Sequence, residues 1–183
     1  MANELKVNRH SKNITLFHGS DIRIEEPDLS RSAWGRDFGM GFYLTSDKQQ
    51  ARAWAKRKAN SALSTTHTPY VNEYHLSDFE GLRVKEFKGA NKSWIDFILK
   101  NRKSNIAHTE YDVIIGKVAD DNTRRMISKY EKGEFADLAK YKGVSEKDIL
   151  VEKLRPEVLV DQICICTEEG KKRLSFVKGS VLR

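Results

Sequence analysis

Apolar positions along this chain fall into short runs whose period changes from two to about four and back. Ile14-Thr15-Leu16-Phe17-His18 alternates as a strand does and stops at Gly19-Ser20, where the backbone can turn sharply. Residues 21–36 predict a loop, with Ile22 and Ile24 turned inward and Pro27 blocking a helix. Gly39-Met40-Gly41-Phe42-Tyr43-Leu44-Thr45 predicts a second strand whose glycines imply close approach to its backbone. The period then lengthens: Gln50, Ala51, Trp54, Ala55 and Lys58 share helical spacing, with Ser46 or Asp47 as the cap.

Residues 60–69 turn to Ser, Thr, Asn and His and predict a surface loop. Tyr70–Leu76 and Leu82–Phe87 both alternate, with Asp78 to Gly81 as the turn between them. Ser93 is placed to cap an amphipathic helix through Trp94, Ile95, Phe97, Ile98 and Leu99. Tyr111–Val118 is continuously apolar, the mark of a strand covered on both faces. Helical spacing returns over Thr123–Tyr130 and from Ser145 to Leu154, where Pro156 is the stop. Gln162–Thr167 and Arg173–Val177 predict the last strands, with a turn or short helix over Glu168–Lys172.

Strands outnumber helices without strict alternation, so the expected fold class is α+β, with two curved sheets and helices outside. A length of 183 residues suits one domain, residues 1–183. Cys164 and Cys166 lie two apart in a strand-like run, a poor geometry for a disulfide and a weak metal site; they read as small core residues of a reducing compartment. No apolar leader and no long apolar stretch is present, so a cytoplasmic protein without membrane contact is expected. No motif requires a metal.

A net charge of +7 changes the picture by favouring phosphate-bearing ligands or partners, although a solvated basic surface reads the same way. The chemistry is concentrated near the N-terminus. In His18-Gly19-Ser20, a neutral imidazole at a strand end can bond a ribose hydroxyl, and the bare backbone of Gly19 can pair with both halves of a carboxamide. The same tripeptide also suits a polar strand cap. Tyr43 and Trp54 can sandwich a flat ring, though Trp54 fits a helix core equally well. Asp120 and Asp121 follow a central strand, where a carboxylate can enter a cleft as charge or general base, or cap the next helix.

Together, His18-Gly19-Ser20, Gly41-Phe42-Tyr43-Leu44-Thr45 and Trp54 resemble the ADP-ribosyltransferase fold of the diphtheria-toxin and poly-ADP-ribose-polymerase branch, with its H-Y-E signature. Tryptophan replaces the second stacking tyrosine. The chain is more similar still to the DUF3990 proteins, a bacterial family of unassigned function related to those transferases, over Leu16–Ser20, Asp37–Thr45, Gln50–Trp54, Trp94–Asn101, Tyr111–Asp121 and Asp161–Thr167.

The resemblance implies a split β-sheet core with flanking helices and NAD as substrate. His18 would bind the adenosine ribose, Gly19 the nicotinamide amide, and Ser20 would support them. Tyr43 and Trp54 would stack on the nicotinamide, with Thr45 in the same block. Gln162 stands where those transferases carry a catalytic glutamate, and it brings no charge. The implied activity is mono-ADP-ribosyl transfer to a macromolecular acceptor, protein or nucleic acid, by the toxin of a bacterial toxin–antitoxin or phage-defence pair with an antitoxin protein as partner. The alternatives are a binding module for NAD or ADP-ribose without the reaction, and a nucleic-acid-binding domain acting through its basic clusters.

Overall fold

The computed structural model describes residues 7–33, 35–104, 106–118, 121–154 and 160–183. Seven strands, β1 (Ile14–Ser20), β2 (Phe42–Thr45), β3 (Tyr70–Leu76), β4 (Val84–Glu86), β5 (Val113–Lys117), β6 (Asp161–Ile165) and β7 (Leu174–Val181), form one sheet in the order β4-β5-β6-β2-β1-β3-β7. Only β4 and β5 run parallel; every other neighbouring pair is antiparallel. The helices among the described residues are α1 (Lys48–Ala59), α2 (Lys92–Lys103), α3 (Asp121–Glu131), α4 (Ala136–Lys142), α5 (Glu146–Leu154) and the short α6 (Glu168–Lys171).

Strand alternation divides the core between the two faces of the sheet. On one face, Ile114 and Cys164 meet Trp94, Ile95 and Ile98 of α2, Ile127 of α3, and Ile149, Leu150 and Leu154 of α5. Phe17 and Val71, on the same face further along, meet Ala51 and Ala55 of α1. The other face, with Leu16, Leu44, Tyr74, Val113, Ile115 and Ile163, is closed by Val7, Phe79 and the partly buried Ile24 and Leu29, with no α-helical residue in that cluster among the described residues. Helices α1 to α5 therefore pack on one side of the sheet.

Several expectations change. The two sheets are one, joined between β1 and β2 by a single ladder pair, Phe17 with Thr45. β3 and β4 are not a hairpin: β3 lies between β1 and β7, and β4 pairs with β5. Alternation cannot distinguish partners, and the turn at Asp78–Gly81 only redirects the chain. Asp47, one of the two caps foreseen for α1, accepts from the backbone N–H groups of Gln49 and Gln50. For α2 the cap is Asn91 rather than Ser93, because Asn91 Oδ1 accepts the Trp94 N–H at 3.0 Å. Helix α4 was not foreseen; it has Ala139 as its buried residue, too little for a periodic signal. Pro156 lies outside the described residues. The two cysteines are free thiols with their Sγ atoms 3.7 Å apart. No helix among the described residues is long and apolar enough to cross a membrane.

At the start of β5, Asp112 fastens two distant segments. Its carboxylate accepts from the Arg83 N–H (2.8 Å), Nε (3.1 Å) and Nη2 (2.8 Å), and from Thr167 Oγ1 (2.7 Å). The Arg83 hydrogen bonds, opposed by partial burial, hold its pKa far below the usual carboxylate range. A depressed folded pKa gives stability that is complete above the unfolded value of about 3.9 and fades as pH falls through the folded one. Asp112→Asn is expected to lower unfolding free energy at neutral pH by about 1–3 kcal/mol. The difference from wild type should shrink in urea titrations run below about pH 4.

Candidate functional site

The thin join between β1 and β2 has a local cause. Continuing the register of Phe17 with Thr45 would set Gly19 opposite Tyr43, but the ladder does not continue. The carbonyl of Tyr43 instead accepts from Nδ1 of His18 at 2.7 Å, so an imidazole stands where a backbone rung would otherwise form. A carbonyl can only accept, which puts the proton on Nδ1 and leaves Nε2 with a bare lone pair. Burial, reinforced by the Lys58 and Arg36 charges, pulls the His18 pKa down to about 4, and the ring is neutral at pH 7. It stacks on Phe42 with ring centroids 4.5 Å apart.

Where the strands part, a cavity of about 480 Å³ opens, bringing together His18, Gly19, Tyr43, Trp54 and Gln162. That volume is within the ordinary range of small-molecule sites. Tyr43 reaches it from β2; its hydroxyl donates to the Gly39 carbonyl (2.6 Å) and accepts from the Phe38 N–H (3.0 Å), so it tethers the preceding loop. Burial, followed by the neighbouring Cys164 thiol, keeps this phenol protonated well above its ordinary pKa. Trp54 reaches the cavity from α1 with the Arg57 guanidinium 4.6 Å from its ring centroid. Tyr43 and Trp54 make no ring–ring contact with each other among the described residues.

Gly19 has a packing reason that the sequence did not reveal. A Cβ there would lie 2.1 Å from the Ala51 carbonyl oxygen and 2.7 Å from the Ala55 nitrogen, because α1 lies directly on β1. Ser20 is buried and its Oγ accepts from the Ile22 N–H at 3.4 Å. Thr45 Oγ1 donates to the Asp161 carbonyl at 3.1 Å. These two hydroxyls line the cavity but hold backbone in place.

Gln162 faces Thr45 across the β2–β6 ladder and is 8% exposed. Its Nε2 donates to Asp37 Oδ2 (3.3 Å) and to the Lys117 carbonyl (3.4 Å). Asp37 is a cavity residue to which the sequence reading assigned no role. Its other oxygen, Oδ1, accepts from Arg102 Nε at 2.9 Å, with Arg102 Nη2 2.8 Å away, and its carbonyl accepts from Asn101 Nδ2 at 2.8 Å. Behind this, buried His108 lies 2.9 Å from Asn101 Oδ1 through Nε2 and 2.9 Å from Glu110 through Nδ1, a structural part for a histidine to which the sequence gave none.

Arg36, Lys58 and Arg124 also line the cavity, and none forms an ion pair among the described residues. Burial and the Arg36 charge lower the Lys58 pKa, with Asp21 acting in the opposite sense. Arg23, by contrast, is paired with Glu25 at 2.9 Å. Asp120 lies outside the described residues, and Asp121 is described only as the first residue of α3. Among the described residues no three His, Cys, Asp or Glu side chains gather as a metal site.

Fold and site together describe a crevice of small-molecule size in a mixed sheet, with aromatic, imidazole and cationic walls. A family described as "protein of unknown function (DUF3990)" matches residues 14–176, and the chain belongs to that family. No curated protein and no solved structure matches it.

Two outcomes follow from the geometry. Gly19→Ala must displace α1 backbone and is expected to lose about 1–3 kcal/mol of stability in urea unfolding. In an NMR titration the His18 ring should change protonation near pH 4. Because its folded pKa lies below the unfolded value of about 6.5, the unfolded chain takes up the proton first, so stability should decline as pH falls between those values. His18→Gln should remove that part of the slope.

Proposed function

We propose that this chain is an NAD-dependent mono-ADP-ribosyltransferase whose site is the crevice between β1 and β2. The observation that carries the reading is the meeting in one cavity of a neutral imidazole, two separated aromatic rings and cations that form no ion pair among the described residues. A pyridine amide suits the gap between Tyr43 and Trp54, with the backbone of Gly19 as partner for its carboxamide. Nε2 of His18 suits a ribose hydroxyl donor. Arg36 and Lys58 suit the diphosphate, because paired phosphates relieve the repulsion between neighbouring cations.

In this reaction the bond from ribose C1′ to the nicotinamide nitrogen breaks, and its electron pair leaves with neutral nicotinamide. The positive charge on the ribose is captured by a nucleophilic atom of the acceptor, which gives up a proton. Tight, dry packing of nicotinamide between the rings favours its departure. The acceptor in this reading is a macromolecule, protein or nucleic acid, and the net charge of +7 suits a phosphate-rich one.

The test follows nicotinamide release and label transfer from adenine-labelled NAD into cell lysate. Wild type should do both. Trp54→Ala should weaken NAD binding by about 2- to 10-fold through lost stacking. Lys58→Gln and Arg36→Gln should weaken it and flatten its dependence on salt. ADP-ribose binding without nicotinamide release would instead mark a binding module, the reading favoured by an uncharged Gln162. Binding of nucleic acid that survives His18→Ala, with no affinity for NAD, would overturn both.

A further inference from the structure

We propose that Asp37 is a positioning residue for Gln162, a carboxylate that fixes and polarises the amide so that its oxygen serves the charge-stabilising role at the ribose. This rests on the transferase reading.

Gln162 Nε2 has two acceptors, Asp37 Oδ2 and the Lys117 carbonyl, and so must present its NH₂ to both. Oε1 is then turned from Asp37 and has no hydrogen-bond partner among the described residues. Without Asp37 only the Lys117 carbonyl, 3.4 Å away, would hold the amide this way round. With it, the N–H groups are drawn toward a negative charge and electron density shifts to Oε1. A positive ribose in the crevice would meet an oriented carbonyl dipole backed by a carboxylate.

Asp37 is built for such a task. Arg102 engages Oδ1, Gln162 donates to Oδ2, and the Asn101 amide holds the backbone of the same residue. Asp37 and Arg102 side chains are 14% and 19% exposed, so bulk water screens the contact weakly. Six residues on, the Tyr43 hydroxyl donates to the carbonyl of Gly39 and so ties the same loop to β2. The neighbouring charged groups are Arg102 from α2, the Lys117–Asp161 pair (2.9 Å) from β5 and β6, and Arg36 and Arg124 on the cavity wall.

The experiment is a double-substitution cycle read as kcat, KM and a carboxyl titration. Asp37→Asn keeps an oxygen for Arg102 but offers Gln162 no charge. It should lower kcat for nicotinamide release about 10-fold or more while KM for NAD changes little, since the loss falls on the developing charge. Gln162→Glu alone sets two carboxylates side by side, so activity should acquire a pH dependence absent from wild type. Asp37→Asn combined with Gln162→Glu exchanges amide and carboxylate and should recover kcat above the Asp37→Asn level, a rescue that a merely structural role would not give. An Asp37→Asn enzyme within about twofold of wild type, or a double variant no better than Asp37→Asn, overturns the proposal.

The carboxyl introduced by Gln162→Glu, followed by NMR without NAD, should titrate about one pH unit or more higher with Asp37 present than with Asp37→Asn. Equal midpoints overturn the proposal whether or not the protein turns over NAD. A wild type that releases no nicotinamide overturns the transferase reading instead, and the titration then decides alone whether positions 37 and 162 are coupled.

Discussion

The structure turns on one missing rung. β-Strands stay together because each backbone N–H and C=O finds a partner, and an unpaired buried group is costly. Between β1 and β2 the sheet gives up that continuity after Phe17 and Thr45, and His18 covers the loss by offering Nδ1 to the Tyr43 carbonyl. The side chain satisfies the backbone while holding the strands apart. A crevice at the middle of a sheet is therefore stable without a ligand, and the same bond fixes the tautomer that leaves Nε2 as an acceptor.

Each wall of the crevice is braced from a different part of the chain. α1 can lie on β1 because Gly19 has no side chain, which brings Trp54 to the cavity. The 21–24 segment is held by Asn72, fully buried in β3, which accepts from the Ile24 N–H (2.9 Å) and donates to the Ile22 carbonyl (3.0 Å). The 37–41 loop is held by Asn101, Arg102 and the Tyr43 hydroxyl. Buried polar groups of this kind stabilise only when fully paired, so they specify one arrangement of the loops more than they add to stability. Arg36, Lys58 and Arg124 also line the crevice and form no ion pair among the described residues.

Local signals served well where one segment carried the whole message. Strand alternation marked β1 and β3, and the switch to helical spacing after Asp47 marked α1 and one of its two candidate caps. The blocks around His18, Tyr43 and Trp54 were readable as candidate site because each is compact, and all three line the cavity together with Gln162. Asp37 was not readable in that way. It stands in the quoted block, but its meaning comes from Arg102, 65 positions on, and Gln162, 125 positions on. Strand partners were equally hidden: two alternating runs joined by a turn looked like a hairpin, yet four strands lie between β4 and β3 in the sheet.

What the sequence determined alone was which stretches alternate as strands or repeat as helices, where the chain turns, and which functional groups stand in compact blocks. Those properties depend on backbone period and on functional groups, and both are local. Tertiary structure decided that the sheet is single yet nearly parted, that Gly19 is required by a helix, and that a carboxylate stands behind Gln162. These are matters of distance between segments far apart in the chain, set by the packing of the whole core and not by any one stretch of it.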